Sequence, residues 1–504
     1  MTETSKKPPY GIIAIMMIGA FVSMFNETLL NVALPSIMKD LAVEPSTVQW
    51  LSTGYMLVNG VLIPTSAFLI QRFSVRKIFL TAMILFTIGT ILAGFAHTFG
   101  LLLTARVIQA SGAAIMMPLL MNVMMSSFPI EKRGMAMGLF GIVFMTAPAI
   151  GPTLSGWLLE HYNWRMLFHV VSPIAFIVVL LGFFLLKDEK KTATLKLSYI
   201  SLILSSIGFG GLLFGFSSAG SKGWDWTLVN GDFNYKVYAA LIVGAISLVT
   251  FIITQLKSET PMLNFKVYKY PMFALSSVIS MVVSMAMFSA MLLLPIYVQN
   301  IRGISTMKSG LLMLPGALIM GIMMPINGKL FDKYGARVLA VPGLAITIIT
   351  TYLFSKLTLD TSYTHLIVLY TLRMFGMSMV MMPVMTNGLN QLPRHMNPHG
   401  TAMNSTLQQV AGAMGASLLI TIMSNRTKTH ATELAAKAMK AMAGKVPATM
   451  DAVQQKAAAL AMQKQITTEA MLKGVNDAFL VAVGIAFVAF ILALFIKRVA
   501  LNKE

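Results

Sequence analysis

Fourteen separate apolar runs, each roughly 20 residues or longer, decide what this chain can become. They cover approximately 10–33, 48–70, 78–97, 100–124, 135–159, 166–186, 198–218, 237–256, 271–298, 306–331, 338–358, 363–390, 399–424 and 474–496. A helix of about 20 residues crosses the hydrocarbon core of a bilayer. Hydrocarbon offers no partners to backbone N–H and C=O groups, so each run must satisfy its own as an α-helix. The expected fold is an all-α, multi-pass membrane protein of fourteen spans. Composition agrees: 56% of the 504 residues are hydrophobic and only 11% charged, whereas a soluble chain carries roughly 25% charged residues.

A net charge of +20 invites a nucleic-acid partner, but its distribution argues against one. Cations concentrate in alternate loops: Arg72, Arg76 and Lys77; Lys132 and Arg133; Lys187, Lys190, Lys191 and Lys196; Lys257, Lys266 and Lys269; Lys333 and Arg337; Arg394; and Lys497, Arg498 and Lys503. The intervening short loops hold far fewer. That asymmetry is the positive-inside pattern and puts both termini in the cytoplasm. The N-terminal MTETSKKPPY leads into the first span without an A-x-A-like cleavage site, so that span reads as an uncleaved helix. The chain has no Cys, which excludes disulfides and thiolate metal sites.

Two segments repeat. VLIPTSAFLIQRFSVR (61–76) aligns with GIMMPINGKLFDKYGAR (321–337) at an offset of 261 residues, matching Pro64 with Pro325, Leu69 with Leu330 and Arg76 with Arg337. Both end the second span of a half and enter a tight inner loop. Related halves imply a transporter with a site between them at the midplane. The expected organisation is a six-helix bundle over 1–186, a linker with two extra spans over 187–270, and a second six-helix bundle over 271–504. Within the last, residues 425–473 are rich in strong helix formers punctuated by Gly444 to Pro447. They predict a helical hairpin on the outer face.

Against this apolar background Glu27 stands out as a carboxylate deep in the first run. An ionisable group there costs about 2.5–3.5 kcal/mol on insertion scales and is a functional candidate. It suits a proton site, a counter-ion for a cationic substrate, or a structural polar group paired with a neighbour. Arg106 and Arg373 lie within the fourth and twelfth runs and must face the protein interior. Pro148, Gly151, Pro152 and Gly156 predict a bent, closely packed fifth span at the interface of the two bundles. Asp332 sits where one helix ends and another begins, suited to accept backbone N–H groups. Gly335 permits the turn, and Lys333 and Arg337 add possible ion pairs. Polar residues in or beside spans are candidates to line a substrate cavity: Asn31, Tyr55, Asn59, Gln109, Gln299, Asn387, Asn390, Asn404 and Gln408. Each alone suits a helix–helix hydrogen bond better than a ligand contact. The 42 methionines, as in MSMVMMPVM (377–385), fit either an adaptable cavity or a lipid-facing surface.

Four of these segments resemble one family. GKLFDKYGAR (328–337) is similar to the G-x-L-x-D-R-x-G-R/K loop of the major facilitator superfamily, RVIQASGAA (106–114) to its fourth-span R-x-x-Q-G-x-G-A motif, and APAIGPTLSG (147–156) to its fifth-span antiporter motif. NETLLNVALP (26–35) resembles the first-span D-x-T-x-x-N-x-A-L-P motif of fourteen-span drug:proton antiporters, with Asn26 at the acidic position and Glu27 one residue later. In the first loop copy Ala67, Gln71 and Ser74 stand where the family has Gly, Asp and Gly. The chain looks most like the lincomycin-resistance type of bacterial multidrug exporter.

The resemblance implies proton-coupled export of amphipathic or cationic compounds by alternating access across the bacterial cell membrane. It implies Glu27 and Arg106 for proton coupling. Arg72, Gly328, Asp332, Lys333, Gly335, Arg337 and Arg373 are assigned to an inner gate. The expected partners are small-molecule substrates, protons and membrane lipids, with no nucleic acid, and the protein is expected to be a monomer. Export of one endogenous metabolite, lipid or peptide is an alternative; a non-transporting sensor or scaffold is a more remote one. The histidines lack metal-type spacing, and there is no Walker A loop or nucleophile–base constellation. No cofactor and no enzymatic activity are expected.

Overall fold

The computed structural model describes residues 10–48, 50–187, 198–222, 235–442 and 452–498. Lys190, Lys191, Lys196, Lys503 and Gly444 to Pro447 lie outside the described residues, as does the side chain of Asn31. The first part of the chain forms α1 (Tyr10–Asp40), a single turn α2 (Pro45–Val48), α3 (Trp50–Arg72), α4 (Val75–Gly94), α5 (Phe99–Ser127), α6 (Arg133–His161) and α7 (Arg165–Leu185). Two further helices follow, α8 (Tyr199–Lys222) and α9 (Tyr235–Lys257). The last part forms α10 (Pro271–Ile296), α11 (Thr306–Tyr334), α12 (Ala336–Phe354), α13 (Tyr363–Ser378), α14 (Met381–Asn390), α15 (Asn397–Met442) and α16 (Ala452–Ala493). Among the described residues, fourteen stretches of helix are long and apolar enough to span a bilayer.

Several tight loops start helices with side-chain caps. Ser74, Thr98, Ser305 and Ser362 each accept a backbone N–H three residues on. Such caps satisfy donors that the first helical turn leaves free. Helices α1 and α3–α7 pack among themselves, as do α10–α16. Tyr10 and Arg498, the first and last described residues, lie at one end of the molecule. There Tyr10 meets Phe128, and the Arg498 guanidinium donates to the Asp332 carbonyl at 3.1 Å. This is called the terminal end, and the opposite one the hairpin end.

Two spans differ from the sequence expectation. The twelfth run is not one helix: α13 stops at Ser378 and α14 begins at Met381. Pro383 explains the break. It has no N–H for the carbonyl of Met379, and its ring crowds that carbonyl. Regular bonding resumes with the Val384 N–H donating to the Val380 carbonyl at 3.0 Å. The hairpin is also not a separate outer element. α15 runs 46 residues without interruption and α16 runs 42, so the outer arms continue spans thirteen and fourteen. Arg426 and His430 on α15 hold Asp477 of α16 at 2.5 and 2.9 Å, tying the arms at their base.

The two halves meet along α6 and α11 over the full depth of the molecule. At the terminal end Gly134 and Gly328 bring the two backbones together, and a Cβ on either would overlap the other chain. At the hairpin end Gly156 lies over Met307 and Gly310 over Thr153. α6 also bonds to α1: the Ser155 hydroxyl donates to the Leu29 carbonyl at 2.9 Å, and the Thr28 hydroxyl to the Ala147 carbonyl at 3.3 Å.

Candidate functional site

A chamber of about 600 Å³ lies between the two halves. Its wall takes one face of each of several helices. On α1 that face is Ser23, Met24, Glu27 and Thr28; on α3 it is Tyr55, Met56, Asn59 and Ile63. These spacings follow the 3.6-residue helical period. α10 adds Ser284, Met287 and Met291, α14 adds Met381, Met382 and Met385, and α15 adds Ser405, Gln408 and Gln409. Nine methionines line the chamber: residues 24, 56, 117, 121, 287, 291, 381, 382 and 385. A small annex of about 40 Å³ opens behind Pro148, Met287 and Met291, with Met313, Met320, Met374 and Tyr370 around it. Unbranched thioether side chains re-pack at little cost, so such a wall accommodates several shapes.

Among the described residues that line the chamber, Glu27 is the only Asp, Glu, Lys, Arg or His. Its neighbour Asn26 points elsewhere. One residue is a rotation of about 100° on a helix, and that rotation turns Asn26 toward α5, where it is almost fully buried. There the Arg106 guanidinium donates to Asn26 Oδ1 at 3.0 Å and to Gln109 Oε1. It also lies over the Tyr55 ring, 4.1 Å from the centroid. Gln109 donates in turn to the Thr90 hydroxyl at 2.7 Å, which donates to the Phe86 carbonyl. Arg106 is thus a buried cation held by neutral partners immediately behind the chamber wall. The Tyr55 hydroxyl and Asn59 Oδ1 are buried without a hydrogen-bond partner on residues that line the chamber. Both are free to bond a bound molecule.

At the terminal end two latches join the halves. Asp332 at the end of α11 accepts the N–H of Gly134 at 2.8 Å and of Met135 at 3.1 Å. These are the first residues of α6, so the carboxylate meets the positive end of a helix dipole. Gly335, with φ of 85°, turns the chain directly afterwards. Among the described residues no ion pair joins Asp332 to Lys333 or Arg337. Lys333 lies over the Tyr334 ring and Arg337 is exposed. At the corresponding place in the first half, Gln71 meets His399, near the start of α15, at 3.1 Å. Arg72 lies over the rings of Phe68 and Phe73.

Six sequence candidates sit elsewhere. Arg373 is not part of the inner gate: it is buried in the middle of α13. It donates to the Ala286 carbonyl at 2.7 Å and to the hydroxyls of Ser289 and Thr351 at 3.2 Å. A guanidinium within a span finds neighbouring helices before it reaches a helix end. Gln109 is not in the chamber wall because Arg106 and Thr90 take it. Asn387 faces the chain end and donates to the Lys497 carbonyl at 3.1 Å. Gln299 lies in a π-helical turn after α10 at the hairpin end. Asn404 is buried within the helix packing. Asn390 accepts from Arg133 at 3.3 Å.

Of the wall, sequence reasoning missed Ser23 and Thr28 on α1, Ser284 on α10, Ser405 and Gln409 on α15, and Phe216 and Ser217 on α8. For α8 the only signal was a serine pair, Ser217 and Ser218, near the end of an otherwise apolar run.

The family model of the Major Facilitator Superfamily matches residues 16–416. The chain is 45% identical to the MFS-type transporter YhcA of Bacillus subtilis (strain 168), covering 99% of this chain and 95% of that one. It is 39% identical to the lincomycin resistance protein LmrB of the same organism, covering 99% of each. Among solved structures, the human organic anion transporter MFSD10 (TETRAN) superposes with a TM-score of 0.65 at 12% identity, covering 97% of this chain and 100% of that one. That likeness concerns the fold alone. Fourteen spans, a chamber between two halves and a family match over most of the length lead to one conclusion: this chain belongs to the Major Facilitator Superfamily and is a membrane transporter, not an enzyme.

Proposed function

We propose that the protein exports amphipathic or cationic drugs in exchange for protons, with Glu27 as the group that binds both. The observation that carries this reading is a single carboxylate in a methionine-lined chamber that has no other formal charge. The names of its relatives, a lincomycin resistance protein and the multidrug export protein EmrB of Haemophilus influenzae, point the same way. The terminal end, with most of the loop cations, faces the cytoplasm, and the hairpin arms face outward.

The cycle follows from competition at one oxygen pair. A cation about 4 Å from a carboxylate, at an effective dielectric of about 20, gains about 4 kcal/mol before desolvation costs. Neutralising Glu27 therefore removes up to about three powers of ten in affinity. A proton arriving from outside releases the drug outward. The protonated, empty carrier then turns inward and loses the proton to the cytoplasm. Arg106, a buried cation close behind the wall, takes part in the coupling through its positive charge. The two halves rock about the chamber, and the Asp332 latch holds the outward-facing state by closing the cytoplasmic end.

The test is transport of ethidium in proteoliposomes under an imposed pH gradient, wild type against Glu27→Gln. The variant should fold, with unchanged thermal stability to within a few degrees, and lose gradient-driven transport at least a hundredfold. Undiminished drug-induced proton movement in the variant sinks the assignment.

A further inference from the structure

The chamber is bounded by two lateral seams between the halves, and they are built differently. The α6–α11 seam is backbone against backbone from Gly134 and Gly328 to Gly156 and Met307. The opposite seam lies between α3 and α15, and α8 packs across both of them. Near its hairpin end α8 reaches through that seam, so that Phe216 and Ser217 form part of the chamber wall. Its other side carries exposed apolar residues, Ile200, Ile203 and Ile207, suited to lipid. α8 thus carries chamber wall near one end and lipid-suited residues nearer the other.

α8 is fastened unequally to its neighbours. To α9 it is joined backbone to backbone: a Cβ on Gly211 would overlap the Ala240 carbonyl oxygen and the Gly244 Cα. The Ser247 hydroxyl donates to the Leu204 carbonyl at 3.0 Å, and Gln255 donates to the Ser201 hydroxyl at 2.7 Å. Toward α3 it presents apolar side chains. Leu213 lies over Gly60, Phe214 stacks on Trp50 at 5.8 Å, and Val61 lies 3.6 Å from where a Cβ on Gly210 would be. Close small-residue packing with interhelical hydrogen bonds makes a stiff pair. A side-chain contact between apolar groups parts at little cost in a lipid surround, where separated surfaces are wetted by acyl chains.

We propose that α8 and α9 form a rigid two-helix panel that acts as a lateral door. Membrane-soluble substrates pass between the chamber and the bilayer where the panel swings away from α3, with Phe216 as its inner face. This gives the two extra helices a role in the substrate route and names the substrate class: amphiphiles that partition into lipid. It rests on the reading of the protein as an exporter.

The chain contains no Cys, so engineered pairs report cleanly. A Val61→Cys/Gly210→Cys pair bridges α3 and α8, and a Gly208→Cys/Leu248→Cys pair bridges α8 and α9. The Cβ of Leu248 lies 3.2 Å from where a Cβ on Gly208 would be, close to the separation a disulfide needs. Neither pair links a residue of one half directly to a residue of the other. Oxidising the first pair should lower ethidium transport at least tenfold, with recovery on reduction. Oxidising the second should leave it within twofold. Full transport by the oxidised α3–α8 pair overturns the door. Gradient-driven transport by the reduced proteins tests the exporter reading separately, and ethidium counterflow without a gradient reads the door even if proton coupling fails. Where the cysteines impair the reduced protein, Phe214→Ala serves instead. Freed from Trp50, the panel should pass ethidium at least twofold faster, and an unchanged or lower rate overturns the proposal.

Discussion

The two halves repeat each other in sequence and differ in where they keep their charge. Each carries a fully buried arginine in its fourth span, Arg106 or Arg373. Arg106 sits against Asn26, with the Glu27 carboxylate one residue along α1 on the chamber side. Arg373 sits against Ala286, Ser289 and Thr351, all neutral, and the chamber wall of its half has no carboxylate. At the latches the order reverses. Asp332 closes the second half onto α6, whereas Gln71, 261 residues earlier and at the repeat-related position, meets His399. The first half supplies the charge for the chamber and the second the charge for the latch. Intramembrane carboxylates are costly, so a duplicated chain gains by keeping one at each task. A single carboxylate in the chamber also makes one protonation event decisive for release.

The most severe way to break this comparison is to move the chamber charge across. Gln408 lines the chamber from the second half. In a Glu27→Gln background, Gln408→Glu restores a carboxylate but lacks the buried arginine behind it. Ethidium binding should recover to within tenfold of wild type, while gradient-driven transport stays at least a hundredfold down. Recovery of both would show that any chamber carboxylate suffices and that Arg106 contributes nothing to coupling.

The arginines themselves give the next largest effect. Arg373→Met removes the guanidinium's bonds to the Ala286 carbonyl and to the Ser289 and Thr351 hydroxyls; the carbonyl keeps the Ser289 hydroxyl and both hydroxyls still donate, so the loss is that of hydrogen bonds to a charged group, about 1.5–3 kcal/mol. Its melting temperature should drop by several degrees while transport per folded molecule stays within threefold. Arg106→Met should lose similar stability but also transport, by more than tenfold. Equal transport losses in the two variants would place the arginines in the same structural role.

Much of this arrangement was legible because helix physics leaves few options. Runs of about 20 apolar residues must be spans, and the 100° turn between Asn26 and Glu27 already separates their directions. What was hidden is facing. Polarity marks a residue that needs a partner but not whether the partner is a substrate or a carbonyl. Asn387 turned to the Lys497 carbonyl and Gln109 to Arg106. Methionine is equally at home in lipid and in a cavity, so nine of 42 could not be assigned to the wall in advance. The break at Met379 was readable from Pro383, since an i−4 carbonyl loses its donor there. The place of α8 in the wall had no such signal, because the inserted pair has no counterpart in the repeat to compare with.

The smallest effect concerns the latches and tests their inequality directly. Asp332→Asn keeps one acceptor for Gly134 and Met135 but turns an amide N–H₂ toward the other donor. Losing charge assistance at two hydrogen bonds costs about 2 kcal/mol, which is roughly a thirtyfold shift toward opening of the terminal end. In inside-out vesicles, a Met385→Cys reporter in the chamber should react with an impermeant maleimide correspondingly faster. Gln71→Asp changes the other latch. Its new carboxylate faces His399 and lies near the start of α15, where a helix N-terminus favours negative charge by about 0.3–1 kcal/mol. It should slow labelling by no more than about fivefold. Together the two changes exchange the charge between the latches, and the double variant should label faster than wild type, because a side chain meeting a histidine does not replace two backbone N–H donors. Labelling of the double variant at the wild-type rate would mean that the latches are interchangeable and that the charge could sit in either half.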